Sequence, residues 1–420
     1  MISVFDLIAL LLTLSAAFGW INRRFLRMPH SIGLLVMGLM ASLLLIVVDL
    51  AFPAQHLYGD MTNTLRQIDF TALVMDGMLA FLLFAGAINL DVSVMRVRAW
   101  PIASLALIGT LISTVLVGCA FWLASGWLGI PMTLGWAMVF GALISPTDPV
   151  AVLTMLKNVN VPDSLRVEMQ GEALFNDGVG VVLFTLIVGV AASSGAAAPP
   201  GVAEVARHVL MEVGGGLILG TATGYIAYRA LRSVDDFAVE VLITLALVAG
   251  TYALARTLGA SGPLAVVAAG LLVGHRAPRD AMSDRTEGYV TTLWTLIDEV
   301  LNSILFLLIG LEVLVLRFNL GSLWLALAAV PIVLAGRLAA VSAPLLLRRW
   351  AGELSICNVP FLTWAGVRGG ISVALALSLP ETEAKPVLLA ATYGVVVFSI
   401  VVQGSTLGLV ARRTVKARMH

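Results

Sequence analysis

The feature that most constrains this chain is a succession of apolar runs with few charges, each near twenty residues, separated by short breaks rich in charge, Pro or Gly. As a helix, a run of about 20 residues matches the ~30 Å hydrocarbon core of a bilayer. The runs are continuous and do not alternate, which excludes a membrane β-barrel. Of the 420 residues, 60% are apolar and 12% charged, too little polar surface to clothe a soluble domain. The net charge is zero, so no bulk field points to nucleic acid. The five histidines fall at run edges, in loops or at the C-terminus. No metal cluster and no cofactor are expected from them.

Thirteen spans are predicted, near 4–21, 30–50, 70–90, 101–125, 134–156, 164–193, 206–231, 237–258, 262–274, 289–316, 322–348, 357–379 and 385–411. The ninth is expected to be short, starting late after Gly262-Pro263. The opening stretch MISVFDLIALLLTLSAAFGW has no basic n-region and no A-x-A site, so it reads as a retained first span. With the N-terminus outside, 18 Lys and Arg residues fall on the inner side, 4 on the outer side and 3 within spans. That imbalance predicts a C-terminus in the cytoplasm. The stretch SSGAAAPPG (193–201) reads as a flexible outer loop.

Polar groups at membrane depth are candidates for function, because each costs several kcal/mol there. In ISPTDPV (144–150), Pro146 and Pro149 bracket Thr147 and Asp148. Two prolines this close break a helix, and a break in the membrane is tolerated only against a cavity or within protein. In GEALFNDGVGVV (171–182), Glu172 and Asn176 are four apart and share a helix face. Asp177 follows near the middle of its run. A carboxylate there stays charged only at a desolvation cost, so it tends to hold either a proton or a small cation. Arg337 and Arg368 lie inside spans and need anionic partners. Gly366, Gly369 and Gly370 around Arg368 mark a second helix break. Asp148 is placed to offset positive half-helix ends and Arg368 negative ones. Asp298, Glu299 and Asn302 lie on the inner half of span ten, where they either line an inner funnel that attracts cations or form a solvated helix end.

Broken helices at matching positions of two halves predict an all-α membrane protein with two inverted six-helix repeats and crossing discontinuous helices. Spans 1–6 and 8–13 form the repeats, and span seven connects them.

Together SPTDPVAV, GEALFNDGVGVVLF, NSILFLLIGLE and TWAGVRGGISVALALSLP resemble the bacterial NhaP-type sodium/proton antiporters, relatives of the animal sodium/hydrogen exchangers. A weaker echo lies at LLFAGAINLD (82–91). The resemblance implies a homodimer in the plasma (bacterial inner) membrane, in contact with lipid, whose substrates are Na⁺ or another monovalent cation and H⁺. It implies dimer-domain helices in 1–100 and 234–318, core helices in 101–193 and 319–412, a connecting helix in 194–233 and a short tail in 413–420. The ion site carried over is Asp177 with Asn176, Thr147 and Asp148, and Thr147 is an oxygen ligand for Na⁺ beside Asp177. Glu172 pairs with a buried arginine, for which Arg337 and Arg368 are the candidates and Arg337 is favoured. This chain has Ala173 where relatives commonly carry Ser, and Ala85 where they often carry an acid.

The expected activity is therefore electroneutral Na⁺/H⁺ antiport by an elevator-type mechanism, one Na⁺ against one H⁺ at one carboxylate. A secondary transporter, not an enzyme, is expected. K⁺/H⁺ antiport is the alternative within the family. An intramembrane aspartyl enzyme using Asp148 and Asp177 is the alternative from another class.

Overall fold

The computed structural model describes residues 4–51, 72–156, 161–193, 207–314, 320–346 and 358–414. The SSGAAAPPG loop lies outside them from residue 194 on, as does the tail from residue 415. Among the described residues the regular structure is all helical, with no strand.

In chain order the membrane segments are α1 (Val4–Ile21), α2 (His30–Ala51), α3 (Ala72–Ile88), α4 (Ala99–Trp127), α5a (Leu134–Ile144) and α5b (Pro149–Leu156), and α6 (Asp163–Ser193). There follow α7 (Arg207–Leu231), α8 (Phe237–Thr257), α9 (Gly262–Asp280), α10 (Asp284–Glu312) and α11 (Leu320–Leu346). The last are α12a (Val359–Trp364) with α12b (Gly370–Leu377), and α13 (Lys385–Thr414). Eight of them are long and apolar enough to cross a membrane as single helices.

Local chemistry sets the ends. Asp236 caps α8 by accepting from the Ala238 and Val239 amides, and Ser261 with Pro263 opens α9. Helix α9 is six residues longer than its sequence suggested. It continues through His275, Arg276 and Arg279 to Asp280, because a charged last turn needs no apolar run once it reaches water. Likewise α10 starts five residues early, at a capping box between Ser283 and Thr286.

Close pairs of helices carry glycine where they touch. A Cβ on Gly220 of α7 would fall on the Ala265 carbonyl of α9. One on Gly141 of α5a would fall on the Thr114 carbonyl of α4, and one on Gly310 of α10 would come within 2.8 Å of the Leu35 carbonyl of α2. Lipid gives apolar helices no reason to leave it, so close backbone packing supplies much of the attraction.

The strongest packing divides the helices into two groups. Helices α7, α8 and α9 pack on one another, α9 packs on α3, and α2 packs on α10. In the second group α4 packs on α5a and α11, α6 on α5a, and α11 on α13. A cavity of about 170 Å³ runs along the seam between the groups.

Candidate functional site

The two breaks meet at that seam. Residues 145–148 leave the helix between α5a and α5b, and residues 365–369 do so between α12a and α12b. Each break frees backbone groups that must be satisfied inside the protein. The Asp148 amide donates to the Val367 carbonyl at 2.8 Å, tying break to break. Arg368, fully buried, donates to the Pro146 carbonyl at 2.9 Å and also to that of Ser145. These carbonyls end α5a, so the guanidinium offsets the negative end of that half-helix.

Asp148 serves the opposite ends. It directly precedes α5b, and a Cβ on Gly369 would fall on its carboxylate, so the acid also lies over the start of α12b. Only glycine leaves it that room. Gly369→Ala is expected to cut transport at least about fivefold, since overpacking a tight core costs about 1–3 kcal/mol. Initial rates in reconstituted vesicles check this; a rate within twofold of the parent would show that the fit matters little.

Thr147 and Asn176 form one unit. The Asn176 amide nitrogen donates to Thr147 Oγ1 at 2.9 Å, and its oxygen accepts from the Thr147 amide at 3.3 Å. Both are buried, at 5% and 1% exposure. Asn176 thus holds the broken segment and spends both ends of its amide doing so.

Asp177 sits one residue on and turned by about 100°. It is 5% exposed and lines the cavity beside Thr147 and Asp148. Among the described residues no hydrogen bond or ion pair reaches its carboxylate, although Arg368 lies within electrostatic range. A Cβ on the neighbouring Gly178 would come within 2.8 Å of Leu264 Cγ, and one on Gly180 would fall on Pro146, which explains these small residues.

Glu172, one turn away, is not part of the cavity's polar floor. Arg337 of α11 grips it through both guanidinium ends, one of them at 3.0 Å, and also reaches the Leu362 carbonyl at the end of α12a at 3.4 Å. Gly366 gives the guanidinium its space, since a Cβ there would lie 2.7 Å from Arg337 Nε. Of the two candidate arginines, Arg337 meets Glu172 and Arg368 serves the break.

Asp298 lines the cavity from the facing helix α10, and Asn302 fixes it by donating to Oδ1 at 3.0 Å. Glu299 does not join it at the cavity. It is turned away by one helical step, is exposed and does not line the cavity. The sequence reading also did not single out Asn89 and Gln170 at the cavity wall. Their only signal is a polar side chain, at the end of its apolar run for Asn89 and in the first third of its span for Gln170.

Two broken helices meeting beside a buried carboxylate, within a bundle of long apolar helices, define the architecture of a secondary transporter. The chain belongs to the sodium/hydrogen exchanger family: the model described as "Sodium/hydrogen exchanger, transmembrane" matches residues 11–413. It is 41% identical over 413 residues to the Na⁺/H⁺ antiporter NhaP of Pseudomonas aeruginosa, covering 97% of this chain and 96% of that one. It is 32% identical to the Na⁺/H⁺ antiporter NhaH of Halobacillus dabanensis, with 96% of each covered. The fold is similar to that of the sodium proton antiporter MjNhaP1 from Methanocaldococcus jannaschii at pH 8, with a TM-score of 0.77, 20% identity and 98% of each chain covered.

Proposed function

We propose that the protein exchanges one Na⁺ for one H⁺ at Asp177, across a bacterial inner membrane. The observation that carries this reading is a buried carboxylate on a cavity of about 170 Å³, hydrogen-bonded by no side chain among the described residues. The activity named for the NhaP and NhaH relatives supports it over most of the chain length.

The physical rule is simple. Empty and charged, Asp177 costs several kcal/mol at the membrane midplane. Holding H⁺ or Na⁺, it is neutral and the carrier moves. Exchange follows, and leak is suppressed. Thr147 Oγ1, freed carbonyls and water complete a hard-oxygen shell for Na⁺. Asn176 does not titrate, so each cycle moves one proton per cation and no net charge.

The helix group carrying Asp177 is the moving body, and the α2, α3 and α7–α10 group is the fixed one. The loop-charge imbalance supports a cytoplasmic position for Asn89 and Gln170 of the cavity wall, and with it the reading of an inward-facing state. Two copies pair through the fixed group.

Proteoliposomes test the reading. An imposed pH gradient should drive ²²Na⁺ uptake, and its absence would refute antiport. Setting the membrane potential with a K⁺ gradient and a K⁺ ionophore should leave the initial rate unchanged. A rate that climbs with potential would refute the one-for-one exchange.

A further inference from the structure

Helix α10 carries a second acid that the exchange cycle above does not use. At about 100° per residue, Asp298, Asn302, Leu305, Ile309 and Glu312 fall within one stripe about 80° wide. Asp298, Asn302 and Leu305 line the cavity at the seam with the moving group. Leu307, Leu311 and Leu314 point the other way, into a cluster with Leu14, Phe18, Leu45 and Ile46 of α1 and α2. The face of α10 toward the moving group therefore bears a carboxylate at each end, about 21 Å apart at 1.5 Å per residue.

The two ends differ in this state. Asp298 is open to the cavity. Glu312 is only 9% exposed, and no described residue hydrogen-bonds or ion-pairs with it. Within electrostatic range lies Tyr393 of α13, 2% exposed, whose hydroxyl is also buried without a partner. An acid and a phenol hydroxyl buried within electrostatic range of each other, neither hydrogen-bonded by a described residue, is a costly arrangement. Both groups gain partners if the seam opens at this end and admits a hydrated cation.

We infer that Glu312 and Tyr393 form the outer landing site for the cation, the counterpart of Asp298 at the inner mouth. The inference rests on the alternating-access reading of Asp177. When the moving group shifts outward, Tyr393 travels with α13 and uncovers Glu312 on the fixed helix. The acid then concentrates monovalent cations beside the outward-facing Asp177, as Asp298 does inside. Neither acid travels with the cargo.

The test is the sidedness of Na⁺ affinity, measured in right-side-out and everted membrane vesicles. Glu312→Gln should raise the half-saturating Na⁺ concentration about fivefold at the outer face and leave the inner value unchanged. Asp298→Asn should do the reverse, and Glu312→Asp should restore most of the outer affinity. Tyr393→Phe keeps the packing and should also act on the outer face alone, which covers the case of a poorly folding Glu312→Gln. Unchanged affinity at both faces, or equal loss at both, would overturn the inference. Asp177→Asn in the same vesicles separates the two proposals. If that variant still exchanges, the site reading fails; if it is dead while Glu312→Gln is symmetric, only the landing site fails.

Discussion

Asp177→Asn is expected to abolish Na⁺/H⁺ exchange, with a loss of at least about a hundredfold in initial rate. Asparagine nearly preserves the shape, so the helix and its glycine contacts should survive. What disappears is the one group that alternates between proton and cation. The neutral carrier can still move, but it moves empty. The corresponding free energy, about 3 kcal/mol or more, is within the several kcal/mol that a midplane charge commands. The same logic fixes a pH dependence with a definite sign. H⁺ and Na⁺ compete for one carboxylate, so where the acid is largely protonated, each unit fall in pH should raise the half-saturating Na⁺ concentration about tenfold. Where the acid is already ionised, the concentration should level off. ²²Na⁺ uptake in proteoliposomes at graded internal and external pH measures both effects. Exchange at the parent rate by Asp177→Asn would move the site elsewhere, and a half-saturation indifferent to pH would rule out competition at one acid.

The helix breaks were legible because proline and glycine write backbone geometry directly into the sequence. Pro146 and Pro149 cannot both continue a helix, and Gly366, Gly369 and Gly370 leave room that nothing else could. Charge at membrane depth was legible for the same kind of reason, since Asp177, Glu172, Arg337 and Arg368 each demand an explanation. What the sequence could not supply was pairing. Either arginine satisfies the need of Glu172 on paper, and 165 residues separate Glu172 from the one that meets it. Nor could spacing reveal that Asn176 turns both ends of its amide to the break. For Asp298 and Glu299 the choice between a funnel and a solvated helix end turns on the 100° that separates adjacent residues on a helix, which puts Asp298 at the cavity and Glu299 in the open. Helix ends were missed where a capping hydroxyl and a charged turn extend the helix beyond its apolar run, as at Ser283 and Asp280.

The Glu172–Arg337 pair should dominate the stability of the moving group. Both side chains are nearly dry, at 2% and 8% exposure, and the guanidinium engages the carboxylate through both ends. The pair joins α6 to α11, and through the Leu362 carbonyl it holds the end of α12a as well. Removing one partner strands the other as a bare charge, which costs about 3–5 kcal/mol, whereas removing both leaves a neutral gap that costs much less. Arg337→Met and Glu172→Gln should each lower the unfolding midpoint sharply in detergent. The double variant should melt above either single one, giving a coupling energy of at least about 1.5 kcal/mol. Thermal unfolding followed by intrinsic tryptophan fluorescence reads this, provided all four proteins share one detergent and one salt concentration. Transport separates the pair from the ion site. If the pair only braces the site, the double variant should keep measurable exchange with a near-parental half-saturating Na⁺ concentration, where Asp177→Asn keeps none. Additive destabilisation would show that the two charges are solvated separately and that α6, α11 and α12a are held together by packing alone.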